Sequence, residues 1–71
     1  MEPTIEGALR SADGYWLVEV VRYGRHDRRY RVSHAATVLA DRAVLGTVQR
    51  ILGDAFNTLQ PVEPDAEHGV A

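Results

Sequence analysis

The chain has 71 residues, no cysteine, and a formal net charge of −2 from eight basic and ten acidic side chains. We expect a single domain at this length, and the lack of cysteine excludes disulfides and thiolate metal sites. No apolar run is long enough to cross a membrane, and the first residues lack the pattern of a signal peptide, so we expect a cytoplasmic protein. All eight basic residues are arginine, which favours a GC-rich, bacterial genome.

The first part of the chain predicts two strands joined by a tight turn. Residues Ile5 to Arg10 predict a short first strand, which Gly7 weakens. The sequence Ser11-Ala12-Asp13-Gly14 predicts a hairpin turn, because glycine readily takes the left-handed conformation that such turns need. Tyr15 to Tyr23 is rich in aromatic and β-branched residues and predicts the clearest strand.

A turn is predicted at Gly24 to Asp27, followed by a strand from Arg29 to Ser33 that alternates between apolar and polar residues. The next segment, His34 to Ala40, fits either a fourth strand or the start of a helix capped by Ser33. We favour the strand, because Asp41 is the better N-cap for the helix that follows.

From Asp41 to Gly53 the apolar residues recur with helical spacing, and Gly53 is placed to end the helix. Phe56 and Leu59 would add one more turn or a short docking segment. The apolar stripe of this helix consists of Val44, Val48, Ile51 and Ala55, widened by Leu45 and Leu52.

These elements predict an α+β fold: an antiparallel sheet of three to four strands with one amphipathic helix packed on one face. The domain spans residues 1–60, and residues 61–71 form an acidic, proline-containing disordered tail. The helix is expected to cover the face that carries Trp16, Val18, Val20, Tyr30 and Val32. A core of this size leaves a monomer marginally stable, which favours a homodimer.

The other face of the sheet predicts a protein interface. Tyr15, Leu17, Val21 and Tyr23 share this face, and apolar residues with two tyrosines are typical of contact surfaces. In the alternative interpretation, the N- or C-terminal segment of the chain itself covers the face.

The segment from Arg22 to His34 is strongly basic, with five arginines against one aspartate and a net charge of +4. A basic hairpin of this kind suits nucleic-acid phosphates, with Tyr23 stacking on bases or sugars. The alternative is a solvated hairpin whose arginines pair with Glu19, Asp27 or the acidic tail. The five candidate contact residues are Arg22, Arg25, Arg28, Arg29 and Arg31.

Evidence for catalysis or metal binding in the sequence is weak. His26, Asp27 and His34 are the candidate metal or acid–base residues, but their spacing matches no ligand motif. Ser11 and Ser33 lack a nucleophile motif. We therefore expect no enzyme, no cofactor and no metal site.

The sequence thus predicts a small non-enzymatic interaction module that serves as a regulatory or accessory partner of a cytoplasmic macromolecule. It would dimerise through the open sheet face and also bind a protein partner, with the arginine hairpin steering the encounter. The alternative is a nucleic-acid-binding protein, similar in role to a transcription regulator, that uses the hairpin of residues 22–31 on phosphates.

Overall fold

A computed structural model describes residues 3–62 of the chain. This part folds into one antiparallel sheet with a short α-helix and a 3₁₀ segment. The elements in chain order are β1 (Thr4–Arg10), β2 (Trp16–Arg22), β3 (Arg28–His34), β4 (Thr37–Ala43), α1 (Leu45–Leu52), the 3₁₀ segment (Gly53–Thr58) and β5 (Gln60–Val62).

The sheet has five strands in the order β4-β3-β2-β1-β5, so the predicted α+β class is confirmed, while the predicted count of three to four strands is wrong. The additional strand is β5, which pairs with the outer edge of β1. It contains Pro61, which lacks a backbone donor and is tolerated at a sheet edge. Pro61 and Val62 are the first residues of the predicted tail, and residues 63–71 lie outside the described part.

The turn between β1 and β2 has the chemistry that its sequence predicts. Gly14 has a φ of 83° and donates its backbone N–H to the carbonyl of Ser11 at 2.9 Å. The Oδ1 atom of Asp13 accepts hydrogen bonds from the Ser11 hydroxyl at 2.5 Å and from the Tyr15 N–H at 3.0 Å. These bonds lower the pKa of Asp13, the one from Ser11 most.

The turn between β3 and β4 has no sequence signature. His34 pairs with Thr37, so only Ala35 and Ala36 connect the two strands. Their φ angles are 50° and 71°, in the left-handed region that disfavours residues with a Cβ. Residues 37–40 form a strand, as favoured from the sequence, and the strand continues to Ala43.

The helix begins later than predicted. Asp41 is not its N-cap, because β4 continues through Asp41 to Ala43, which pairs with Tyr30 and is buried. The helix starts at Leu45 after Val44, whose side chain cannot cap it. At its other end Gly53, with a φ of 58°, follows the last helical residue, and the chain continues as the 3₁₀ segment.

The core lies between one face of the sheet and the helical residues. Val18, Val32 and Ala43 of the sheet pack with Val48 and Leu52 of α1. The prediction that the helix covers this whole face of the sheet is wrong. Helix α1 has only eight residues, and Val20 is not part of the core cluster. Residues that follow α1 also pack against the core, namely Ala55, Phe56 and Leu59. Within residues 3–62, no helix is long and apolar enough to cross a membrane.

Candidate functional site

The hairpin of β2 and β3 carries the five predicted contact arginines on both of its faces. Strand alternation places Arg22 and Arg28 on the side of the core and Arg29 and Arg31 on the open side. Arg25 lies in the connecting loop, which the bond from the Tyr23 N–H to the Asp27 carbonyl closes at 2.8 Å. The hairpin therefore presents cationic groups in three directions.

A carboxylate from β1 lies between the two arginines on the core side. Glu6 Oε1 lies 2.7 Å from Arg28 Nε, and Glu6 Oε2 lies 3.3 Å from Arg22 Nε. Glu6 can reach them because it is the extra residue of a β-bulge, between Ile5 paired with Val21 and Gly7 paired with Val20. Glu6 could not be assigned to this site from the sequence, because the pairing depends on the position of the bulge.

The arginines on the open side also have carboxylate partners. Arg29 Nε lies 2.9 Å from Asp27 Oδ1, and Arg31 lies 3.9 Å from Glu19 and 3.5 Å from Asp41. Pairing with Glu19 and Asp27 was one of the two interpretations of the sequence. Arg25 is exposed and makes no ion pair with any residue of the described range 3–62.

A small depression opens at the loop end of the hairpin. Its volume is about 220 Å³, and its lining residues are Arg22, Arg25, His26, Asp27 and Arg28. Three of the five lining side chains are guanidinium groups. Asp27, the one acid among them, is paired with Arg29 outside the depression. The depression therefore has an excess of positive charge.

On the open face, Tyr23 is held by polar contacts from β4. Its hydroxyl donates a hydrogen bond to Asp41 Oδ1 at 3.0 Å, and the guanidinium carbon of Arg42 lies 4.6 Å from the ring centroid. The bond from Tyr23 is the main cause that lowers the pKa of Asp41, helped by the Arg42 backbone N–H and the charge of Arg31, while desolvation opposes it. Tyr23 is half-buried in these contacts.

The other three predicted interface residues differ in their exposure. Val21 is only 1% exposed, Leu17 is half-buried, and Tyr15 is 58% exposed. The open face therefore offers apolar surface at the Tyr15 end of β2. Toward the Tyr23 end, Ile5 pairs with Val21 and adds an apolar side chain that is 41% exposed.

A second, larger hollow lies at this Tyr15 end. Its volume is about 420 Å³, within the range of ligand and side-chain pockets. The residues that line it are Arg10, Gly14, Tyr15, Leu17, Ser33, Ala35 and Ala36. Sequence reasoning found Tyr15 and Leu17 but missed the two alanines, because Ala-Ala is not a turn signature.

Of the candidate metal and acid–base residues, His26 and Asp27 line the same depression, but His34 lies apart from them. His26 lies in the hairpin loop, whereas His34 packs on Trp16 with ring centroids 4.5 Å apart. The Ser11 hydroxyl oxygen accepts a hydrogen bond from the backbone N–H of Trp16 at 3.1 Å. Within the described residues, no three histidine, aspartate or glutamate side chains are grouped as metal ligands.

Comparisons of the chain with protein-family models, curated proteins and solved structures found no significant match.

Proposed function

We propose that this chain is a small cytoplasmic, non-enzymatic interaction module that pairs with a second copy of itself and serves a larger macromolecule as an accessory partner. The observation that carries the proposal is the 420 Å³ hollow on the open face, with the exposed Tyr15 on its rim. An exposed aromatic ring beside a hollow lets two copies meet with the ring of each against the hollow of the other, as an interface with two-fold symmetry requires.

The small core supports the same proposal. Only five large apolar side chains of residues 3–62 are buried, namely four valines and Leu52. Seven large apolar side chains in this range are at least 36% exposed. A chain of this size gains stability by burying such surface against another subunit. The seven exposed side chains are Ile5, Tyr15, Val38, Leu39, Val44, Leu45 and Val62.

Sedimentation equilibrium of wild-type protein and three glutamate variants tests this proposal. Tyr15→Glu and Leu17→Glu place a charge in the interface and are expected to convert dimer to monomer. Leu45→Glu is the matched control, because Leu45 is also 45% exposed but lies at the start of α1. A monomeric wild type at millimolar concentration would contradict the proposal, and so would a dimer that tolerates Tyr15→Glu.

Nucleic-acid binding is the second candidate function. A specific observation favours it: the hairpin carries arginines on both faces and at its loop, as a ribbon that enters a groove between phosphate strands requires. Its ion pairs involve exposed or half-exposed side chains, and such pairs are weak enough for phosphates to replace.

Fluorescence anisotropy of a labelled duplex, repeated from about 50 to 300 mM salt, tests this candidate. Five phosphate contacts predict a slope near −4 to −5 in a plot of log affinity against log salt concentration, at about 0.9 per contact. Arg29→Ala is expected to weaken binding, whereas Arg50→Ala, on the exposed surface of α1, is not. Absence of binding at low salt with micromolar protein would exclude this function.

A further inference from the structure

We propose that the depression at the loop end of the hairpin is a binding seat for one phosphate group, and that the neighbouring carboxylate of Glu6, which contacts Arg22 and Arg28, competes with that phosphate. The inference deepens the nucleic-acid candidate and rests on it only for the source of the phosphate. The seat consists of the guanidinium groups of Arg22, Arg25 and Arg28 with the His26 ring beside them.

Charge is the first argument. Three guanidinium groups line the depression, and the carboxylates near them are Glu6 and Asp27. Asp27 is neutralised by Arg29 at 2.9 Å, so Glu6 is left to balance three positive charges. An excess of positive charge therefore remains for an anion, and guanidinium groups bind phosphate oxygens in bidentate geometry.

The availability of the arginine donors is the second argument. Arg22 Nε and Arg28 Nε lie 3.3 Å and 2.7 Å from Glu6, but neither side chain makes a hydrogen bond within residues 3–62. The N–H groups of both guanidinium groups therefore remain for another anion. Arg25 is exposed and has no ion-pair partner among residues 3–62. Donors from three side chains therefore remain for a single anion.

Size restricts the ligand to a single anionic group. The depression has a volume of about 220 Å³, below the 300 to 1,000 Å³ that is typical of pockets for drug-sized ligands. The imidazole ring of His26 is the one aromatic group among its lining residues. A phosphate of a nucleic-acid backbone and a free phosphate both satisfy these conditions.

The bulge in β1 makes Glu6 a competitor. Its side chain is 25% exposed, and it lies between two arginine side chains that are 45% and 63% exposed. A phosphate that binds these guanidinium groups must share them with the carboxylate or displace it. Glu6→Gln keeps the shape of the side chain and removes the negative charge, so it is expected to raise the affinity for phosphate about threefold to tenfold.

The test is a titration with inorganic phosphate, at ionic strength held constant with sodium chloride, followed by NMR signals of the arginine Nε–H groups and of the loop amides. Wild type, Glu6→Gln, Arg25→Ala and the control Arg50→Ala are compared. The seat predicts shifts confined to Arg22, Arg25, Arg28 and their neighbours. It also predicts tighter binding by Glu6→Gln, loss of most binding in Arg25→Ala, and no change in Arg50→Ala. Because Arg25 is an exposed loop residue, its variant is expected to fold even if Glu6→Gln does not.

A parallel duplex titration of the same four proteins separates the seat from the nucleic-acid function. Phosphate binding at the seat without duplex binding supports the seat and indicates a small phosphate compound as its ligand. Duplex binding that Glu6→Gln and Arg25→Ala leave unchanged overturns the seat while the nucleic-acid function stands. Phosphate shifts spread over all arginines, or unchanged by Arg25→Ala, also overturn it.

Discussion

The hydroxyl of Tyr23 donates a hydrogen bond to Asp41 Oδ1 across 3.0 Å, joining residues that are 18 positions apart in the sequence. Tyr23 follows β2 and Asp41 lies in β4, so the bond spans the intervening strand β3 on the open face. Arg31 of β3 lies 3.5 Å from the same carboxylate. This face therefore has a polar network at one end and the hollow beside Tyr15 at the other.

The network predicts a loss of stability in acid. The pKa of Asp41 is lower in the folded chain than its usual 3.8. As the pH falls, the unfolded chain is therefore protonated first. The stabilisation is complete above the usual pKa and is lost as the pH falls through the lowered value. Asp41→Asn is expected to flatten the dependence of the unfolding free energy on pH between about pH 5 and 2.

Urea denaturation at a series of pH values measures this effect. Asp54→Asn is the matched control, since Asp54 is exposed and makes no hydrogen bond or ion pair through its side chain with residues 3–62. If both variants flatten the pH dependence of the unfolding free energy equally, the effect comes from general charge repulsion and the prediction is contradicted.

Ala36→Gly is expected to stabilise the chain. Ala36 has a φ of 71°, where a Cβ costs about 1 to 2 kcal/mol. Glycine removes that cost but adds about 0.5 to 1 kcal/mol of unfolded-state entropy, so a net gain of about 0.5 to 1 kcal/mol is expected. Thermal unfolding measures the gain. The control is Ala12→Gly, in a turn but without positive φ, which is expected to give no gain.

Ser11→Ala is expected to lower the unfolding free energy by about 1 to 2 kcal/mol. Ser11 is 5% exposed. Its hydroxyl accepts a hydrogen bond from the backbone N–H of Trp16 and donates one to the carboxylate of Asp13. Alanine at position 11 leaves the backbone N–H of Trp16 without this acceptor. Equilibrium unfolding in urea measures the loss, and Ser11→Thr, which keeps the hydroxyl, should restore part of it. Unchanged stability in Ser11→Ala would show that the turn does not depend on these bonds.

Val48→Ala is expected to cost about 1.5 to 3 kcal/mol, because Val48 is completely buried between α1 and the sheet. Val44→Ala serves as the comparison, since Val44 is 51% exposed and its loss should cost less than about 0.5 kcal/mol. Both values come from urea denaturation. Similar costs at the two positions would contradict the burial of the helix face as described.

Local patterns in the sequence determined the three central strands, the Asp13-Gly14 turn and the existence of a helix that presents Val48 and Leu52 to the sheet. Strand alternation and turn chemistry depend on neighbouring residues, so they can be recognised without knowledge of the fold. The arginine hairpin was recognised for the same reason.

Only the tertiary structure decided which distant residues meet. The bulge at Glu6 sets its contacts with Arg22 and Arg28, and the extension of β4 moves Asp41 from a predicted helix cap to a partner of Tyr23. Ala35 and Ala36 adopt left-handed backbone conformations that alanine disfavours. They do so because the free energy of pairing β3 with β4 outweighs the cost of these conformations. Register, bulges and strand extension arise from the free energy of the whole sheet, which no short segment of sequence contains.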